Sequence, residues 1–194
     1  MAGGLAVGLL AGAVVGAAGG GRDPAELQLL DLDGRRVAPF HDPTARGFVF
    51  VLARTDCPIS NRYAPELQRL HRRFAPKGLV FRLVYPDAGE DVEAIRRHAR
   101  DFAYPFAALR DPEHGLVRLV RATVTPEAAV FVAEPPGPRL VYRGRIDDRY
   151  VDFGTTRAVP TTRDLEQVLE AVAAGRKVPL RTTAAVGCFI PRAE

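Results

Sequence analysis

The chain has 194 residues, 47% hydrophobic and 26% charged, which suits one globular domain with appendages rather than a disordered or fibrous chain. Its net charge of +4 comes from basic residues that are all arginine apart from Lys77 and Lys177, and no block of five or six stands in a row. Scattered charge of this kind describes a solvated surface and argues against nucleic-acid binding.

Residues 1–21, MAGGLAVGLLAGAVVGAAGGG, carry no charge, and the first charged residue is Arg22. The apolar run suits the core of a signal peptide, with a small-residue cleavage site at Val15-Gly16-Ala17 or Gly16-Ala17-Ala18. A positive segment ahead of it is missing. Glycines at 4, 8, 12, 16 and 20 give a second reading, a GxxxG-type anchor helix, and a disordered tail is a third. The expectation is an exported chain, periplasmic or otherwise extracytoplasmic, anchored to the membrane if the run is retained. Export would place both cysteines in an oxidising compartment.

From Asp23 the pattern reads as a short lead-in strand, LQLLDL, and a turn at Asp33-Gly34. Phe48 to Ala53 is a continuous apolar run of strand length, as expected of a strand buried on both faces. Tyr63, Leu67, Leu70 and Phe74 then fall on one helical face. Pro58 suits the first turn of that helix, and Pro65 should kink it. Leu79 to Tyr85 reads as a second central strand, and Val92, Ile95, Ala99 and Phe102 mark a second helix. A strand around Phe106 to Leu109 and a short helix around Gly115 to Val120 follow. Ala128 to Ala133 and Arg139 to Arg143 look like a hairpin joined by a Pro-rich loop. Thr161 to Asp164 matches a T-x-x-D capping box for a last helix closed by Gly175. Beyond it, Val178 to Glu194 shows no period and should be an irregular, mobile tail. Alternating strands and helices followed by a hairpin and a final helix indicate a central mixed sheet with helices on both faces.

Cys57 stands where the first buried strand hands over to a helix. Unpaired N–H groups and the positive end of the helix dipole would face its sulfur and favour the thiolate, the form that attacks disulfides and peroxides. Arg54 and Arg62 are near in sequence and would add to the effect. The plain alternative is a buried structural cysteine. His41, His71, His98 and His114 are dispersed without metal-ligand spacing, and His71 and His98 read as surface residues of helices. Asp147-Asp148 reads as a solvated pair in a turn.

The segment TDCPISNRYAPEL resembles the active-site region of the thioredoxin-like superfamily, with strand, Cys-Pro-x-x, helix, and Pro65 eight residues after Cys57. Thr125-Pro126 before AAVFV is similar to the pair in that superfamily whose proline is cis and faces the active cysteine. The resemblance covers Asp23 to Gly175. Within it the chain looks most like the redoxin group, the alkyl hydroperoxide reductase/thiol-specific antioxidant domains and their exported or anchored relatives; YRGRIDDRY and AVGCFI resemble a bacterial subgroup. The resemblance implies a three-layer thioredoxin-like α/β fold over residues 23–177 and a thiol redox activity. Cys57 would be the nucleophile, supported by Pro58, Thr125 and Pro126, with Arg54, Thr55 and Ser60 lining the substrate side. It implies no organic or metal cofactor. The partner would be a protein thiol or disulfide, or a peroxide, with a docked redox protein as a further possibility.

The sequence also departs from the superfamily. Ser60 stands where dithiol relatives have a second cysteine, and a serine cannot close a disulfide. Phe50 and Arg54 stand where peroxiredoxins usually have proline and threonine, and only Arg121 offers itself as a peroxide-polarising arginine. Copper-carrying relatives use a cysteine pair that is absent here. If Ser60 cannot resolve an intermediate on Cys57, the remaining thiol is Cys188, 131 residues later. Cys188 therefore reads as a resolving cysteine, as a static disulfide partner, or as a small buried hydrophobe. The alternative to an enzyme is a non-catalytic thioredoxin-like module that docks a redox partner.

Overall fold

The computed structural model describes residues 23–192; residues 1–22, which the sequence reads as a signal peptide or anchor, lie outside the described residues. Among the described residues, no helix is long and apolar enough to cross a membrane. The elements run β1 (Leu29–Leu30), β2 (Arg36–Val37), β3 (Gly47–Leu52), α1 (Pro58–Arg62), α2 (Ala64–Phe74), β4 (Leu79–Tyr85), α3 (Val92–Asp101), β5 (Ala107–Arg110) and α4 (Gly115–Val120). They continue with β6 (Val124–Thr125), β7 (Glu127–Val132), β8 (Arg139–Gly144), β9 (Tyr150–Asp152), β10 (Thr155–Thr156), α5 (Asp164–Ala173), β11 (Arg181–Thr182) and β12 (Cys188–Phe189).

β3 is the central strand. It pairs parallel with β4 and antiparallel with β7, in register from Gly47 to Leu52 on both sides. The full sheet order is β11-β8-β7-β3-β4-β5-β1-β2, a mixed sheet. All six residues of β3 are buried, as its unbroken apolar run requires. Alternation along the strand divides them. Val49 and Val51 face the core shared with Leu67, Leu70 and Phe74 of α2 and Leu165, Val168 and Leu169 of α5. Phe48, Phe50 and Leu52 face the opposite core with Leu116, Val117 and Val120 of α4. Phe40 closes that second core by edge-on contacts with Phe48, Phe50 and Phe131 at centroid separations of 5.3, 5.2 and 4.8 Å. The α/β architecture expected from the element order is the one observed.

Several local expectations are corrected. The lead-in strand shrinks to Leu29–Leu30, and the turn at Gly34 (φ 81°) brings Arg36–Val37 back beside it as β2. The single kinked helix is two helices. Pro65 has no N–H to offer the carbonyl of Asn61, so the ladder stops at Tyr63 and a new helix starts with Pro65 in its first turn. Thr161 does not cap α5, whose N-cap is Arg163. Asp148 takes Thr161 instead, accepting from its hydroxyl, from its N–H at 2.7 Å and from the Thr162 N–H at 2.9 Å. Asp147 and Asp148 are accordingly buried, not solvated. The tail is not irregular throughout: β11 adds to β8 in parallel and β12 pairs with β6.

Phe50 is completely buried where two aromatic neighbours meet the central strand. Phe50→Ala should lower unfolding stability by about 3–5 kcal/mol, read from urea denaturation with an unchanged slope.

Candidate functional site

The site forms where β3 ends. The Ala53 N–H still bonds to Val84 O at 2.9 Å, and the chain then leaves the sheet through Arg54, Thr55 and Asp56. This turn is held from three sides. The Thr55 N–H donates to Glu90 Oε1 at 2.6 Å. The Asn61 side-chain amide donates to Thr55 O at 3.1 Å. Cys57 is the N-cap of α1, with its own carbonyl taking the Asn61 N–H at 3.0 Å.

Asn61 is fixed in turn by a chain of buried groups. Its Nδ2 is used on Thr55, so its Oδ1 faces His98 Nε2 at 2.7 Å and accepts from it. His98 Nδ1 is then the acceptor for the Tyr85 hydroxyl at 2.7 Å. One neutral tautomer satisfies all of these bonds, and burial holds the His98 pKa below its ordinary value. His98 is 5% exposed, so the surface role expected for it is wrong; His71 is half-buried against Phe81 and Phe106. A histidine on an amphipathic helix gives no sign in sequence of a tyrosine waiting on a neighbouring strand. Glu90, Asn61, His98 and Tyr85 were all missed for that reason.

Opposite Cys57 lies β6. Thr125 is fully buried, the Thr125–Pro126 peptide is cis, and the Cys57 thiol donates to Thr125 O at 3.1 Å. The third wall is the tail. Cys188 pairs with Thr125 and Phe189 with Val124 in an antiparallel ladder, and the Ile190 N–H bonds to Thr123 O at 3.1 Å. Gly187 passes so close to β6 that a Cβ there would stand 2.1 Å from Thr125 O. Alternation along β12 turns Cys188 inward, packed against the core that contains Cys57, and leaves Phe189 outward at 81% exposure. The two cysteines are free thiols in this structure.

The two thiols are electrostatically unequal. Burial pushes the Cys57 pKa up, but the donors outweigh it: the Cys188 thiol and the Ser60 hydroxyl, helped by the Ser60 and Cys188 backbone N–H groups, hold it below the ordinary thiol value. Cys188 goes the other way. Burial, donation to Cys57 and the negative charge on Cys57 push its pKa up to about 12. Of the two thiols, Cys57 is thus the one that ionises more readily. Ser60 is buried and its hydroxyl has no partner while Cys57 is a thiol, which fits a donor that engages only the thiolate. The serine cannot form a disulfide but can donate to a Cys57 thiolate.

The other expected site residues divide. Pro58 occupies the first turn of α1 and is exposed. Arg54 does not act on Cys57; its guanidinium is bonded to Asp56 at 3.0 Å, Asp87 at 3.4 Å and the Phe189 carbonyl at 3.3 Å. Arg62 is exposed on α1 and is not among the groups that shift Cys57. Helix α1 spans only five residues, and the groups that lower the Cys57 pKa are the Ser60 and Cys188 donors. Arg121 is exposed at the end of α4 in a left-handed conformation, φ 56°, with its carbonyl accepting from Arg143. Among the described residues no group of three or more metal-ligating side chains occurs.

Thiolate absorbance of the reduced protein against pH should show Cys57 titrating below the ordinary value of about 8.5. Loss of a donor disfavours the charged form, so Ser60→Ala should move that midpoint upward by about one unit, equivalent to ~1.4 kcal/mol. An unmoved midpoint in Ser60→Ala would remove the serine from the site's chemistry.

No protein-family model and no curated protein matches the chain. Solved structures do. An uncharacterized conserved protein from Geobacillus kaustophilus aligns over 89% of this chain and 91% of its own at 24% identity, with a TM-score of 0.72. A hypothetical protein from Sinorhizobium meliloti 1021 aligns over 88% and 92% at 22% identity, TM-score 0.70. A secreted Mycobacterium tuberculosis disulfide oxidoreductase homologous to Escherichia coli DsbE aligns over 78% and 97% at 16% identity, TM-score 0.52. Likeness at these identities establishes architecture, and the chain has a thioredoxin-like fold.

Proposed function

We propose that the protein is a thiol-disulfide oxidoreductase in which Cys57 is the attacking sulfur and Cys188 the resolving one. The observation that carries this reading is the seating of Cys188 on β6 beside Cys57, in surroundings that favour ionisation of Cys57 over Cys188. The Cys57 thiolate attacks one sulfur of a substrate disulfide; a Cys57 mixed disulfide forms and the other substrate sulfur leaves as a thiolate that takes up a proton. Cys188 then attacks the Cys57 sulfur, closing a Cys57–Cys188 disulfide and releasing the second substrate thiol. Two chain thiols are oxidised and one substrate disulfide is reduced; an external dithiol returns the chain to its starting state.

The same electrostatics times the two attacks. Besides burial, donation to Cys57 and the charge on Cys57 keep Cys188 protonated. Both vanish once Cys57 is tied up in a mixed disulfide. The Cys188 pKa then falls, and the resolving thiolate becomes available only when there is something to resolve. The DsbE-homologous oxidoreductase that shares the fold is consistent with this chemistry. A secreted relative and the apolar N-terminal run support an extracytoplasmic location, where such exchange is needed.

Peroxide reduction is the less favoured use of the same sulfur, because the Arg54 guanidinium is committed to Asp56, Asp87 and the Phe189 carbonyl. The non-catalytic docking module draws on one observation, the complete burial of Cys57.

Oxidised protein should yield a Cys57–Cys188 peptide on mapping, and Cys188→Ser should accumulate a mixed disulfide on Cys57 when given a disulfide substrate. Full turnover by Cys188→Ser would remove Cys188 from the mechanism. Rapid stoichiometric sulfenylation of Cys57 by hydrogen peroxide would favour the peroxidase, and an inert Cys57 with an ordinary titration would favour the docking module.

A further inference from the structure

The nucleophile is sealed. Cys57 is 0% exposed, and its neighbours Thr125 and Ser60 are 0% and 1% exposed. A substrate disulfide therefore cannot reach the sulfur in the conformation observed. One wall of the seal differs from the others. β3, α1 and the β6–β7 turn belong to the buried sheet and its cores, whereas no described residue beyond Val178 is buried. The segment across the site is held to β6 by the Cys188–Thr125 and Phe189–Val124 pairing and the Ile190 N–H bond, and to the Cys57 turn by the Arg54 bond to Phe189 O. Its largest apolar side chain, Phe189, points into solvent, while Cys188 and Ile190 are only partly buried where they rest against the two cores.

We propose that residues 187–190 form a strap that shields Cys57 and lifts from β6 to admit the substrate, and that its return to β6 brings Cys188 onto the mixed disulfide. This rests on the reading of Cys57 as the nucleophile. The strap is an edge ladder of few bonds, the kind of element that opens locally while the rest of the fold stays closed. It carries its own resolving thiol, so exposure of the nucleophile and withdrawal of the resolving cysteine are one movement. The substrate thus meets Cys57 alone, and Cys188 arrives afterwards by re-forming its pairing with Thr125. No new covalent chemistry is needed beyond the two exchanges already written. Register with Thr125 sets the order of events.

Gly187 provides the test. An added Cβ would lie 2.1 Å from Thr125 O and 2.7 Å from Thr125 C, both backbone atoms that cannot swing aside. Gly187→Ala should therefore unseat the strap while keeping both thiols. In reduced protein, iodoacetamide should alkylate Cys57 about tenfold or more faster in Gly187→Ala than in wild type, and a chain ending at Val186 should match the variant. Cys188→Ser, which leaves the backbone ladder intact but removes the thiol donor, should be no faster than wild type. Equal rates in wild type, Gly187→Ala and the shortened chain would overturn the strap. Fast alkylation of Cys188→Ser would overturn it too, because the shield would then be the Cys188 side chain alone. If Gly187→Ala does not fold, the shortened chain gives the answer. Peptide mapping of oxidised wild type is independent of these rates: a Cys57–Cys188 disulfide with unchanged alkylation rates sinks the strap and leaves the redox reading standing.

Discussion

The chemistry of this protein depends on the backbone of one buried residue, Thr125. Its carbonyl accepts the Cys57 thiol, its ladder position holds Cys188, and its close approach to Gly187 admits no side chain there. Pro126 follows it, so β6 ends at this point and the chain turns into β7 at the centre of the sheet. Three segments distant in sequence thereby meet across one strand edge. A backbone scaffold suits this role because its hydrogen bonds specify position without specifying side-chain chemistry.

Around that edge the fold places charge unevenly. Two thiols in contact cannot both ionise easily, and local donors decide which one does. Ser60 and Cys188 favour ionisation of Cys57, and a charge there would disfavour ionisation of Cys188. The nearby Glu90 reinforces the geometry rather than the charge. Burial raises its pKa, and its Oε1 accepts the Thr55 N–H while Oε2 is buried without a partner. Arg54, which from sequence looked like a source of positive charge for the sulfur, ties the turn to Asp87 and to the tail instead. Its role is to brace two segments against each other.

The supporting shell is built from polar groups that are buried and paired. Tyr85, His98 and Asn61 hand one hydrogen bond to the next until they reach Thr55, two residues before Cys57. On the far side of α1, the Tyr63 hydroxyl donates to Asp147 at 2.5 Å and its ring lies 5.6 Å from that of Tyr150. Asp147 also takes the Arg149 N–H at 2.9 Å, so the loop after β8 is pinned to the helix that carries Cys57. Unmade, such bonds would leave buried donors and acceptors at a cost of roughly 1–3 kcal/mol each. The position of Cys57 therefore rests on elements that share no sequence neighbourhood.

The sequence by itself determined most of the elements and the candidate nucleophile. Periodicity and burial preferences are local, so β3, β4, α3 and α4 were legible at nearly their observed bounds, as was a mixed sheet with helices on both faces. Cys57 was legible because a cysteine followed by proline at a strand end has a local consequence. Tertiary structure decided what local rules cannot. Thr161 serves Asp148 rather than the last helix because that carboxylate is folded against it. His98 is buried because Tyr85 and Asn61 converge on it. Above all, a tail without periodicity became a strand because β6 offers unpaired backbone groups, and pairing to an edge needs no hydrophobic pattern. That contact brings Cys188 across 131 residues to Cys57, a proximity set by hydrogen-bond register that no spacing in the sequence encodes.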